Sequence, residues 1–152
     1  MRMKAFGLTL LAAWLLTAPS GGTIAQEPAL AKAATDAGLQ WSPCPPGLPE
    51  GCTLTVLHGD PGKPNADVFL KLPAKSTIAE HWHTSAERMI LVSGEMQVTY
   101  KGQPTATLKA GSYAYGPAKL SHSAACVSAT PCVLFIAFEQ PVDLVPAADG
   151  PK

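Results

Sequence analysis

The sequence has no surplus of charge of either sign. Across 152 residues, 11 lysines and arginines balance 11 aspartates and glutamates. No basic patch is interleaved with aromatics, so nothing steers the chain toward nucleic acid or an anionic membrane. No pair of cysteines has the two-residue spacing of a zinc knuckle or a thioredoxin-like redox site. After residue 25 no apolar stretch is long and uninterrupted enough to span a bilayer. No internal repeat is present, and the length suits a single core. Arginine is scarce, with Arg2 and Arg88 alone, and only four histidines occur.

The start of the chain is different in kind. Arg2 and Lys4 precede an apolar run from Ala5 to Ala18. That run is short for a membrane span but suits the hydrophobic region of a secretory signal peptide. Pro19, Gly21 and Gly22 break it, and Thr23-Ile24-Ala25 offers small residues for cleavage before Gln26. Residues 1–25 are therefore expected to be a signal peptide, the alternative being an uncleaved anchor. With no twin-arginine pair, the general export route is expected, leading to a periplasmic or secreted protein without further membrane attachment. Without Arg2 and Lys4 the chain carries nine basic and eleven acidic side chains, a net charge of −2.

Cys44, Cys52, Cys126 and Cys132 all follow that site. An even count in an exported chain predicts disulfides, with three pairings possible. Cys44–Cys52 and Cys126–Cys132 are favoured, because each pair flanks a short turn-rich segment.

Residues 26–52 read as an alanine-rich helix or strap followed by a Pro/Gly-rich loop. Residues 53–140 read as short strands between frequent turns. Met96-Gln97-Val98-Thr99-Tyr100 alternates with period two, as a half-buried strand does. The pattern predicts an all-β fold, a small antiparallel β-barrel or jelly roll. Residues 141–152 are expected to fray.

Within this β pattern lie His81-Trp82-His83, Glu87 and Gly94, then Gly111, Pro117 and His122. Residues two apart on a strand share a face, so His81 and His83 project together. Glu87 starts the next strand, and His122 arrives from a distant one. Three imidazoles and a carboxylate suit one divalent transition metal: manganese, iron or zinc, with nickel or copper also compatible. They leave coordination positions open for a small-molecule ligand.

The arrangement resembles the cupin superfamily, whose motifs run G-x5-H-x-H-x3,4-E-x6-G and G-x5-P-x-G-x2-H-x3-N. Here the first reads Lys75, His81, His83, Glu87, Gly94, and the second Gly111, Pro117, Lys119, His122, Cys126. The resemblance covers about Val68 to Phe138. It implies a jelly-roll barrel with His81, His83, Glu87 and His122 as metal ligands. Lys75 and Lys119 replace turn glycines, and Cys126 replaces an asparagine. A free Cys126 would be a fifth soft donor or a redox-sensitive thiol. Exposed edge strands and the resemblance point to a homodimer.

Met89 and Leu91 share parity with Glu87 and are pocket candidates. So are Met96 and Val98, Tyr113 and Tyr115 before the second-motif proline, and Phe135 or Ile136 near the C-terminus, each with plain packing as the competing role. No side chain stands out as a general acid or base. The expected function is an exported metal-binding cupin acting on a small oxygen-rich molecule by oxygenase, decarboxylase or isomerase chemistry. The alternatives are a module that binds metal or ligand without turnover, and a purely structural barrel.

Overall fold

The structure, a computed structural model, describes residues 26–149. The expected signal peptide, residues 1–25, lies outside them. The chain divides into two compact units, Met1–Leu30 and Ala31–Lys152. Of the first, only residues 26–30 are described, and they carry no regular structure. The second holds the fold. Its leading residues form isolated turns without a helix.

Eleven strands follow: β1 (Ser42–Pro43), β2 (Thr53–His58), β3 (Ala66–Leu72), β4 (Thr77–Trp82), β5 (Glu87–Ser93), β6 (Glu95–Tyr100), β7 (Ala106–Lys109), β8 (Tyr113–Gly116), β9 (His122–Cys126), β10 (Cys132–Phe138) and β11 (Val145–Pro146). They build two antiparallel sheets, ordered β1-β2-β3-β10-β5-β8 and β11-β4-β9-β6-β7. The sheets are separate, not one closed hydrogen-bonded cylinder, which is the jelly-roll form of the expected barrel. Inward side chains of both sheets meet in one core, with Leu72, Leu91 and Leu134 fully buried. Each such side chain stabilises the fold by about 1.5–3 kcal/mol.

Burial alternates along β5: Glu87, Met89 and Leu91 face in, while Arg88 and Ile90 face out. On β6, Met96, Val98 and Tyr100 face in. β4 departs from strict alternation. Ile78 and His81 are both buried although three residues apart, and the β4–β9 register shifts between them. A bulge at this point lets both side chains enter the core.

The four cysteines form two disulfides, Cys44–Cys52 and Cys126–Cys132, the favoured pairing. That excludes a free Cys126. The second bridge sits against Gly94, where φ is 89° and an added Cβ would lie 3.0 Å from Cys132 Cα. The motif glycine therefore serves both a left-handed turn and close packing.

The C-terminal segment expected to fray carries regular structure over residues 145–149. Val145 and Pro146 pair with Trp82 and His81 of β4, and a 3-10 turn over Ala147–Asp149 follows. Hydrogen bonds to β4 satisfy backbone groups that a loose tail would leave to water.

Candidate metal centre

His81, His83 and His122 converge inside the protein. Each offers a ring nitrogen, and the three nitrogens lie within 4.8 Å of one another. Pairing of β4 with β9 sets His81 directly opposite His122, with ring centroids 4.3 Å apart. His83 follows the last residue of β4, and its ring centroid is 4.9 Å from that of His81. Glu87, at the start of β5, brings Oε1 to 3.2 Å from His122 Nε2 and Oε2 to 3.6 Å from His83 Nε2.

Each imidazole is oriented from behind. His81 Nδ1 donates to the Ala79 carbonyl at 2.8 Å, and His122 Nδ1 to that of Leu120 at 3.2 Å. His83 Nδ1 donates to the carbonyl of Asp143. A carbonyl only accepts, so all three protons sit on Nδ1 and the Nε2 lone pairs remain for a ligand. This outer support is what metal-binding histidines require. The Ala79 carbonyl lies in the β4 bulge, so the same irregularity turns His81 inward and fixes its tautomer.

Burial holds the pKa of His81 and His83 below the usual imidazole value, and that of His122 at about 4. Burial pushes Glu87 up to about 7. Glu87 Oε1 is buried without a hydrogen-bond partner among the described residues. Three neutral donors and an unsatisfied carboxylate oxygen share one apolar pocket. A divalent cation supplies what this set lacks, so the residues fit a metal.

Several neighbours of the centre left little trace in sequence. Gly116 pairs with Glu87 across β8 and β5. Ser85 Oγ accepts from the backbone N–H groups of Glu139 and Gln140 at 2.9 and 3.0 Å, which ties the turn before Glu87 to the end of β10. Asp143 receives the Thr84 N–H on Oδ1 at 2.9 Å and the Thr84 hydroxyl on Oδ2 at 2.6 Å. Nothing local to Asp143 announces contacts some 60 residues away. Tyr100 stands opposite His122 on β6, with its hydroxyl buried and without a hydrogen-bond partner among the described residues, and burial raises its pKa so that it stays neutral.

The centre opens onto a cavity of about 320 Å³. Met89, Met96 and Val98 line it, and Leu91 is buried outside its lining. Tyr113 and Tyr115 do not reach it. They face outward, 59% and 49% exposed, because Ala114 and Gly116 take the inward positions opposite Met89 and Glu87. Phe135 also points away and packs edge-on against Phe69, while its neighbours Leu134 and Ile136 line the cavity. Arg88 is exposed and paired with Glu139.

A two-sheet jelly roll with three histidines from its motif strands is the architecture of a cupin. The family model of the ChrR cupin-like domain matches residues 31–142. The chain belongs to that family. Among solved structures, KdgF from Halomonas sp. is similar at TM-score 0.54 and 18% identity, over 66% of this chain and 88% of that one. The DMSP lyase DddQ from Ruegeria pomeroyi is similar at TM-score 0.61 and 19% identity, over 74% and 64%. A mutant of the oxalate decarboxylase OxdC from Bacillus subtilis is similar at TM-score 0.58 and 18% identity, over 74% and 31%. At these identities the likeness is one of fold. No curated protein matches the chain. Among the described residues, no helix is long and apolar enough to cross a membrane. The two disulfides fit an oxidising compartment.

Proposed function

We propose that this chain is an exported cupin in which His81, His83, Glu87 and His122 hold one divalent transition metal that binds a small molecule. One observation carries the reading: three buried imidazoles bring ring nitrogens within 4.8 Å of one another, and the Glu87 carboxylate lies beside two of them with no hydrogen-bond partner for Oε1 among the described residues. When bound, the metal supplies Lewis-acid polarisation of a ligand oxygen. The chain's own residues orient the donors and exclude water. Manganese, iron and zinc fit the donor set, as do nickel and copper. The reaction classes open to such a centre are oxygenation, decarboxylation and isomerisation. The apolar lining favours the alternative of binding without turnover, because among the described residues Asp143 is its only acidic group besides Glu87, and its carboxylate is engaged by Thr84. The basic start and the apolar run after it support export, as do the disulfides. Outward Ile90, paired with Phe135 and Tyr113 across three strands, supports a homodimer.

Elemental analysis of protein taken from its native compartment tests the proposal. About one ion per chain is expected, and His83→Ala should lose it with the strand content retained. Absence of metal from native protein, or full retention in His83→Ala, overturns it.

A further inference from the structure

The wall of the cavity is more selective than the centre. It is built largely from Leu, Val, Ile, Met, Pro and Phe side chains. Among the described residues, no lysine, arginine, serine, threonine, asparagine, glutamine or tyrosine lines it. The polar side chains that the described residues give it are the three histidines, Glu87 and Asp143. The sequence-based expectation of an oxygen-rich ligand finds no support here. A sugar or polyol would bury several hydroxyls against side chains that offer them no partner, which opposes its binding.

Charge narrows the choice further. Three neutral imidazoles, one carboxylate and a divalent ion leave the centre with a single positive charge. One anionic head neutralises it. A second anionic group would lie against apolar wall or near Asp143, with no cation to pair it. The volume, about 320 Å³, falls at the small end of ligand pockets, which run from roughly 300 to 1,000 Å³.

We infer that the pocket takes a monoanionic and otherwise apolar small molecule, such as an alkyl or aryl carboxylate, with its one charged head at the metal. The inference rests on the proposed metal centre. The head would meet the side of the pocket that His81, His83 and His122 form, and the hydrocarbon body the wall of Leu134, Ile136 and Met96.

The test uses the full mature protein loaded with cobalt(II), whose visible spectrum reports directly on metal coordination. Octanoate and benzoate are titrated beside succinate, glucose and 1-octanol. Either monoanion is expected to shift the spectrum and raise the melting temperature. Half-saturation should come at least tenfold lower than for succinate, and glucose and 1-octanol should leave the spectrum unchanged. Metal-free protein should lose the preference for octanoate over 1-octanol. With cobalt bound, equal or tighter response to succinate or glucose, or no response to either monoanion, overturns the ligand class and leaves the metal centre standing. Failure to take up cobalt at all overturns both.

Discussion

The carboxylate of Glu87 rests on the bare Cα of Gly116. A Cβ at residue 116 would lie 2.8 Å from Glu87 Oε1 and 2.9 Å from its Cγ. Real Cβ atoms do not approach so closely, so any side chain here moves the carboxylate. Gly116→Ala should lower metal affinity about 10–100-fold. It should also destabilise the metal-free fold by about 1–3 kcal/mol through overpacking. Chelator competition and urea unfolding read the two effects, and unchanged affinity would show that Glu87 is not a donor.

Lys75 and Lys119 stand where the cupin motifs carry glycine, and both keep the glycine conformation, with φ of 58° and 64°. An L-residue in the left-handed region is strained by about 1–2 kcal/mol. Lys119→Gly should therefore stabilise the protein by about 0.5–1 kcal/mol, since glycine's greater unfolded entropy offsets part of the relief. Lys75→Gly should yield less, because Lys75 Nζ donates to the Val127 carbonyl. Urea midpoints of the two variants measure the difference. A loss of stability in Lys119→Gly would count against strain at that turn.

In the proposed centre, Glu87 should set the pH dependence of metal uptake. Burial raises its pKa from 4.5 to about 7 in the metal-free fold. A raised folded-state pKa favours the metal-free fold fully below pH 4.5, and that contribution is lost as pH rises through about 7. A metal needs the ionised carboxylate, so below pH 7 it must displace a proton. Burial holds all three histidines below the usual imidazole value, that of His122 at about 4, so Glu87 is the donor whose raised pKa lies nearest neutrality. Calorimetry in buffers of different ionisation enthalpy should show about one proton released per ion at pH 6 and close to none at pH 8. Affinity should rise about tenfold per pH unit up to pH 7 and then flatten. A proton release that does not change between these values would rule out Glu87 as the titrating ligand.

Asp143 is a positioning residue. Its carbonyl holds the His83 ring, and its carboxylate fastens that stretch of chain to Thr84. Asp143→Ala should weaken metal binding about tenfold although no ligand is removed. Glu139→Ala, which breaks the exposed pair with Arg88, should leave affinity unchanged and stability within about 1 kcal/mol. Equal affinities in the two variants would deny Asp143 its role.

Much of the centre was legible along the chain, because a strand's two-residue period is local. HxH spacing puts two imidazoles on one face, and Met89 follows Glu87 inward by the same rule. Parity says which residues share a face, not which face is inside. Tyr113 and Tyr115 do share one, but the bulk of Glu87 and Met89 across β5 admits only Ala114 and Gly116 opposite them. Phe135 is displaced from the cavity in the same way, by Leu134 and Ile136. The bulge in β4 broke the period where His81 needed it broken.

The sequence by itself determined the strands, the favoured disulfide pairs and the donor types, because backbone period, turn chemistry and coordination preference act over a few residues. The tertiary structure alone decided the rest. It brought the Asp143 carbonyl to His83, left Glu87 Oε1 without a hydrogen-bond partner among the described residues, and gave the cavity its apolar wall. Those outcomes depend on which distant side chains meet in the closed interior, and no local pattern encodes such meetings.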